Sequence, residues 1–338
     1  MSRLETTQGI ALITGASGAI GPTVAEAFRD ARYRIRTLSR TRPDPALFPP
    51  GTESVVGDIT QRETLDAAFR QVSVVIHLAA LLHVMDKSKV TPEDYERVNV
   101  LGSANVLDAA RQNGAERFVF LSSIAVYGES RVGLLTEDST PQPDTPYART
   151  KLAAEKIILN DDRSDDPLIR TALRAAAVYG PRLKGNYRRL VRSLARGRFV
   201  PIGGGDNRRT LVHSKDLARA IVLAATHPAA AGRVYNVTDG CVHSLKDIIS
   251  AISEALGKRP PRLSIPLSAA RAIIGAFEDS SRLIGYQAPI SRSMIDKYTE
   301  DVAVCGRRIQ AELDFAPQFD LRTGWKQTVE QMRSMGEL

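Results

Sequence analysis

The chain is poor in the residues that build metal centres and covalent cross-links. Among 338 residues only two are cysteine, Cys241 and Cys305, and no CxxC pair occurs. Neither a zinc site nor a disulfide framework is expected, and a reducing, cytoplasmic setting suits such a chain. The five histidines are scattered without HExxH or similar spacing, so no bound metal is expected. Aromatics reach only 6% and there is a single tryptophan. No segment interleaves basic and aromatic side chains as a base-stacking surface would, so nucleic acid is not an expected partner despite a net charge of +8. Long apolar runs are missing too. The most apolar stretch, residues 72–85, is too short to cross a bilayer and carries two histidines, and residues 1–7 lack the apolar core of a signal peptide. Membrane insertion is therefore not expected. The basic balance instead suits phosphorylated small molecules.

What is present is an alternation of strands and helices. Ile10-Ala11-Leu12-Ile13-Thr14 reads as a buried strand, with a helix over 22–31 after it. Further strands are predicted at 34–38, 55–56, 74–78 and 118–121, with helices over 62–69 and 95–113, the latter stopped by Gly114. This order predicts an α/β fold, a Rossmann-type doubly wound parallel sheet covered on both faces. After about residue 180 the pattern loosens. A basic helical stretch covers 188–198, strand-like segments return at 210–213 and 234–237, and Pro260, Pro261 and Pro266 interrupt the region between later helices. The reading is a dinucleotide-binding domain over 1–177 plus about 210–238, and a smaller α/β substrate-binding domain over 178–209 and 239–338.

Gly15-Ala16-Ser17-Gly18-Ala19-Ile20-Gly21 follows the first strand and opens the first helix. Glycines at this spacing allow a tight turn, close backbone approach to a pyrophosphate and close helix–strand packing. The helix N-terminus then offers unpaired N–H groups to phosphate, and Pro22 suits its first turn. Strand, loop and helix in this order point to a dinucleotide. Its identity depends on the end of the second strand, Leu38-Ser39-Arg40-Thr41-Arg42. There is no carboxylate there to accept from ribose hydroxyls, and Arg40 suits a 2′-phosphate, so NADP is favoured over NAD. As loop charges in solvent, Arg40 and Arg42 would carry no such role. Asp58, followed by Ile59, suits either the adenine side of the cofactor or the N-cap of the next helix.

Tyr147 and Lys151 lie four residues apart at the start of a predicted helix, on one face. A tyrosine ordinarily ionises near pH 10, and a neighbouring ammonium and an oxidised nicotinamide both favour its phenolate. Such a residue takes a proton from an alcohol or returns it to a carbonyl. Ser122 and Ser123 end the fifth predicted strand and face the same crevice in a parallel sheet.

On these segments, together with His77-Leu78-Ala79-Ala80, Asn99, residues 121–128, Val178-Tyr179-Gly180-Pro181 and residues 209–216, the chain resembles the extended short-chain dehydrogenase/reductases, specifically the NAD-dependent epimerase/dehydratase group that acts on nucleotide sugars. The resemblance implies Ser123, Tyr147 and Lys151 as catalytic residues, with Lys151 also on the nicotinamide ribose. It implies that Gly15, Ser17, Gly18, Ala19, Ile20, Gly21, Leu78, Ala79, Ala80, Asn99 and Ser122 line the cofactor, and that Asn186 and Arg209 bind the substrate diphosphate. A loop hydrogen bond for Asn186 and a solvated charge for Arg209 are the plain alternatives. A homodimer through helices around 93–113 and 147–159 is also implied.

Departures from the family pattern narrow the chemistry. Where sugar dehydratases of the group carry an acidic pair after the catalytic serine, this chain has Ile124 and Ala125, which move no protons. Where many 4-epimerases have an asparagine toward the nucleotide sugar, it has Ala177, and Ser39 or its neighbour replaces their Asp after the second strand. Residues 178–186 and 207–212 are similar to bacterial 4-keto-nucleotide-sugar reductases. The expectation is thus chemistry at C4 of a nucleotide sugar, with NADPH-dependent 4-keto reduction placed slightly ahead of 4-epimerisation on retained NAD. A steroid- or flavonoid-type dehydrogenase of the same family is the next reading. It is opposed by Arg188, Arg189, Arg192 and Arg209 near the expected pocket, although the first three also fit a solvated helix face. A non-enzymatic redox-sensing regulator ranks last, because it would not need Ser123, Tyr147 and Lys151 together.

Overall fold

The computed structural model describes residues 8–82, 90–128, 133–160, 166–182, 184–283 and 292–338. Residues 1–7, the end of the apolar stretch 72–85, and Leu183 lie outside the described residues. The strands are β1 (Ile10–Thr14), β2 (Arg34–Ser39), β3 (Glu53–Val56), β4 (Val72–His77), β5 (Arg117–Ser123), β6 (Ile169–Ala175), β7 (Ala177–Tyr179), β8 (Arg208–Arg209), β9 (Leu211–His213), β10 (Val234–Val237) and β11 (His243–Ser244). The helices are α1 (Gly21–Asp30), α2 (Asp66–Phe69), α3 (Pro92–Tyr95), α4 (Gly102–Gln112), α5 (Pro146–Leu159), α6 (Gly185–Ala195), α7 (Ser214–Thr226), α8 (Leu245–Ala255), α9 (Leu267–Leu283), α10 (Arg292–Thr299), α11 (Arg307–Leu313) and α12 (Leu321–Ser334).

β1 is apolar at four of five positions and buried throughout because it lies inside a sheet covered on both faces. Seven parallel strands run in the order β3-β2-β1-β4-β5-β6-β10. Odd-numbered residues of β1 pack with Val24 and Phe28 of α1 and with Leu217 and Ile221 of α7. Ile10 and Leu12 share the opposite core with Val106 and Leu107 of α4 and Ala154 and Ile158 of α5. The strand order reverses between β1 and β4, which opens a crevice beyond the C-terminal ends of both. A third core joins Tyr179, Val191, Leu211, Ile248, Ile252, Trp325 and Val329. Small pairs accompany it, β7 with β9 in parallel and β8 with β11 antiparallel.

Several elements differ from the sequence reading, among them the basic helix expected over 188–198, which is α6 (Gly185–Ala195). The helix expected over 62–69 is a 3₁₀ turn (Arg62–Thr64) followed by the single turn α2. Thr64 Oγ1 accepts from the Asp58 N–H at 3.0 Å, an alternative partner that competes with a regular helix start. The expected helix 95–113 begins earlier, at Thr91, whose side chain and Asp94 form a reciprocal cap. It runs through a π-helical turn (Glu96–Leu101) into α4. β6 was not expected at all. Its polar residues mask a strand pattern but are buried with partners: Thr171 donates to the Ala230 carbonyl at 2.7 Å, and Arg174 pairs with Glu155.

Candidate active site

The glycine loop has the geometry that its spacing calls for. Gly15 has φ of +66°, and a Cβ there would lie 2.6 Å from Ala79 Cα, so only glycine lets the loop meet the end of β4 this closely. A Cβ on Gly21 would come within 1.9 Å of the Ala16 carbonyl oxygen, which fixes how tightly α1 enters. Ile20 stands at the N-cap of α1 without a side-chain hydrogen bond, so no side chain of the cap residue competes for the first N–H groups of the helix. Ser17 is exposed beside it, with Gly18 and Ala19 half-buried.

Around the crevice, Leu78, Ala79 and Ala80 follow β4 and are half-buried. Ser122 is 3% exposed, and its hydroxyl is buried with no protein partner among the described residues. A buried hydroxyl costs free energy unless something hydrogen-bonds to it, so its place at the end of β5 fits a bound polar group. These features together fit a dinucleotide. Arg40 is exposed just past β2. The N-cap alternative for Asp58 is not realised, because Gln61 occupies that cap. Asp58 Oδ1 instead accepts from the Thr60 N–H and hydroxyl, both at 2.9 Å. Ile59 is buried against Gly102, where an added Cβ would lie 2.8 Å from its Cδ1.

A chain of buried hydrogen bonds ties the loop to α5. Thr14 Oγ1 meets His77 Nδ1 at 2.7 Å, and His77 Nε2 meets Ser103 Oγ at 2.9 Å. Ser103 donates its one proton to the Asn99 carbonyl at 2.6 Å, so it accepts from His77, which is neutral with its proton on Nε2. Burial, aided by Lys151, pushes His77 down to about 3. The Asn99 side chain accepts from the Leu81 N–H at 2.7 Å and donates to Thr150 Oγ1 on α5 at 3.0 Å.

α5 starts at Thr145, whose hydroxyl accepts from the Ala148 N–H, and Pro146 occupies its first turn. Tyr147 is half-buried and hydrogen-bonded to Ser123, which also accepts from the Ala125 N–H at 3.2 Å. Burial pushes the Tyr147 phenol up to about 12, against the pull of the Ser123 hydrogen bond. The protein alone therefore leaves the phenol neutral, whereas the sequence reading expected a neighbouring ammonium to favour the phenolate. Lys151 is 2% exposed, with Nζ 3.9 Å from the centre of the Phe120 ring. Its ammonium is held down to about 7 by burial, with Glu155 opposing.

Ser123 also lines a cleft of about 220 Å³. Its walls include Ala125 and the run Ala175-Ala176-Ala177, and Asp144, Lys297 and Glu300 supply charge at its rim. The last three escaped the sequence reading because nothing local marks them; α10 and the turn before α5 meet only in the fold. Arg209 on β8 lies beside the lining residue Val302, with which it forms a β-bridge. Its Nη2 donates to the Lys297 and Tyr298 carbonyls at 2.7 and 3.1 Å, so it is not a free solvated charge. Asn186 is exposed on the first turn of α6. Arg188 and Arg192 reach Glu337 at 2.9 and 3.7 Å, so as cations they give no argument against an apolar substrate. Among the described residues no group of acidic, histidine and cysteine side chains is placed to hold a metal, and no helix is long and apolar enough to cross a membrane.

Comparison with known proteins agrees with this construction. Residues 11–238 match the model of the NAD dependent epimerase/dehydratase family. The chain is 31% identical to the UDP-glucose 4-epimerase of Vibrio cholerae over 94% of both chains. It is 28% identical to a 3 beta-hydroxysteroid dehydrogenase/Delta 5-->4-isomerase of Mycobacterium tuberculosis, over 87% of this chain and 84% of the relative. Among solved structures, MoeE5 in complex with UDP-glucuronic acid and NAD superposes with a TM-score of 0.77 at 30% identity, covering 97% of this chain and all of the other. A parallel seven-stranded sheet, a glycine loop at its switch point and agreement along nearly the whole chain leave one conclusion: this protein is an enzyme of the NAD-dependent epimerase/dehydratase family.

Proposed function

We propose that the protein catalyses oxidation–reduction at C4 of a nucleotide sugar, with Ser123, Tyr147 and Lys151 as its reacting side chains. The observation that carries this reading is that Tyr147 is paired with Ser123, a residue that also lines the 220 Å³ cleft. Ser123 orients the sugar oxygen. Tyr147, once ionised, takes its proton as the C4 alcohol becomes a ketone, and as the neutral phenol gives a proton back in the opposite direction. Lys151 stabilises the charge that develops on Tyr147. A nicotinamide dinucleotide supplies the redox equivalents when bound, held by residues 15–21, Leu78, Ala79, Ala80, Asn99 and Ser122, with Ile59 on the adenine side and Asp58 beside it. Arg209 and Asn186 take the substrate diphosphate, Arg209 by releasing the α10 carbonyls. Segments 178–209 and 239–338 serve as the substrate side of the molecule, and the working form is a homodimer.

Two outcomes at C4 have separate support. The likeness to a UDP-glucose 4-epimerase along 94% of both chains favours epimerisation on retained NAD. Exposed Arg40, with no carboxylate over 38–42, favours NADPH and net 4-keto reduction. The test is cofactor stoichiometry. Stoichiometric NADPH oxidation with a 4-keto nucleotide sugar eliminates epimerisation as the net reaction. Protein that purifies with bound NAD and interconverts C4 epimers without net NADPH loss eliminates reduction.

A further inference from the structure

Below the reacting pair on α5 lies a second buried charged group that the proposed chemistry does not use. Glu155 follows Tyr147 and Lys151 at the same four-residue interval, so all three share one helix face. Glu155 is 3% exposed and Arg174 on β6 is 5% exposed. The two form a fork-to-fork pair: Arg174 Nε donates to Glu155 Oε2 at 3.1 Å and Nη2 donates to Oε1. Arg174 Nη1 donates to the Tyr127 hydroxyl at 2.9 Å, and that hydroxyl donates to Asn236 Oδ1 on β10 at 2.8 Å. Asn236 in turn donates from Nδ2 to the Cys305 carbonyl at 3.2 Å and from its backbone N–H to Glu137 at 2.8 Å. Glu155 is thus anchored to the far edge of the sheet, and Arg174 is the strand neighbour of Ser122.

We propose that Glu155, locked by Arg174, is a positioning residue that acts as the counter-charge holding the Lys151 ammonium beneath Tyr147. Lys151 has no hydrogen-bonding protein group on Nζ among the described residues; its contact is the face of Phe120. The groups around it are few. On α5 they are Tyr147 and Glu155, on β4 the neutral His77, and on the helix across the site Tyr95, which acts on Tyr147. Glu155 is the anion in this set. A charge at this depth is expensive without an opposite one nearby. Lys151, Glu155 and Arg174 sum to one positive charge, so the buried cluster is left ready for one anion, the phenolate of Tyr147.

This inference deepens the proposed function, and its first readout is independent of substrate. The Nζ resonance of Lys151 in protein carrying ¹⁵N-lysine, assigned by its loss in Lys151→Met, is followed against pH. Glu155→Gln keeps an oxygen for Arg174 and removes the charge. It is expected to move the Lys151 midpoint to lower pH by about one unit or more, and to carry the alkaline limb of kcat the same way. Glu155→Asp, which withdraws the carboxylate by one methylene, is expected to shift it less, and it serves alone where Glu155→Gln fails to fold. A titration unchanged from wild type in the folded variants overturns the proposal and leaves Glu155 a packing element, whatever reaction the enzyme performs. A uniform fall in kcat without a shifted limb does the same.

Discussion

Individual residues in the crevice are governed by burial more than by pairing. Tyr147 is raised and Lys151 and His77 are lowered, each first by removal from water. His77 gives this a thermodynamic consequence. Its folded form is neutral down to about pH 3, whereas the unfolded chain takes up a proton near 6.5. The unfolded state then binds more protons below pH 6.5, so stability falls as pH drops from there toward 3. Urea unfolding of wild type and His77→Gln between pH 7.5 and 5 tests it. The wild-type advantage is expected to shrink as the pH falls, and parallel pH dependences would show that His77 contributes no linkage. At this scale the sequence was uneven. The glycine loop and the Tyr147–Lys151 spacing are local patterns with local physics, so they were legible. Glu155, Arg174 and Lys297 were not, because their meaning lies in partners 19 residues away or on another element.

At the scale of elements, sequence reading succeeded where burial makes a strand almost wholly apolar, as in β1, and failed where polar side chains are buried with partners, as in β6. The third core shows the same dependence on distant packing. Trp325 of α12 is fully buried, stacked at 4.6 Å on Tyr179 of β7 and 5.7 Å from Tyr187 of α6. Its Nε1 is buried without a partner among the described residues. Trp325→Ala is expected to cost about 3–5 kcal/mol through lost transfer energy and the cavity left behind. Trp325→Phe keeps much of the stack and removes the unsatisfied N–H, so its cost should stay below about 1.5 kcal/mol. Denaturant midpoints at constant m-value measure both. Equal costs for the two would mean that the indole N–H, not the aromatic volume, carries the interaction.

Across the whole molecule, the fold class and the family were legible because strand–helix alternation, the glycine loop and the segment around Ser123 are each read from contiguous residues. The cleft at Ser123 was not, because it assembles from four separate stretches, within residues 123–128, 144–145, 175–177 and 297–302. The central claim is that Ser123, Tyr147 and Lys151 carry out oxidation–reduction at C4 of a nucleotide sugar. It is tested most directly by proton NMR of UDP-hexoses and 4-keto nucleotide sugars incubated with NAD or NADPH and either wild type or Tyr147→Phe. Wild type is expected to change the C4 centre of at least one of them, and the variant to do so about 10²–10⁴-fold more slowly, the usual contribution of a positioned proton-transfer group. Turnover of a sterol alcohol with no change at C4 of any nucleotide sugar, or a variant as fast as wild type, would contradict it.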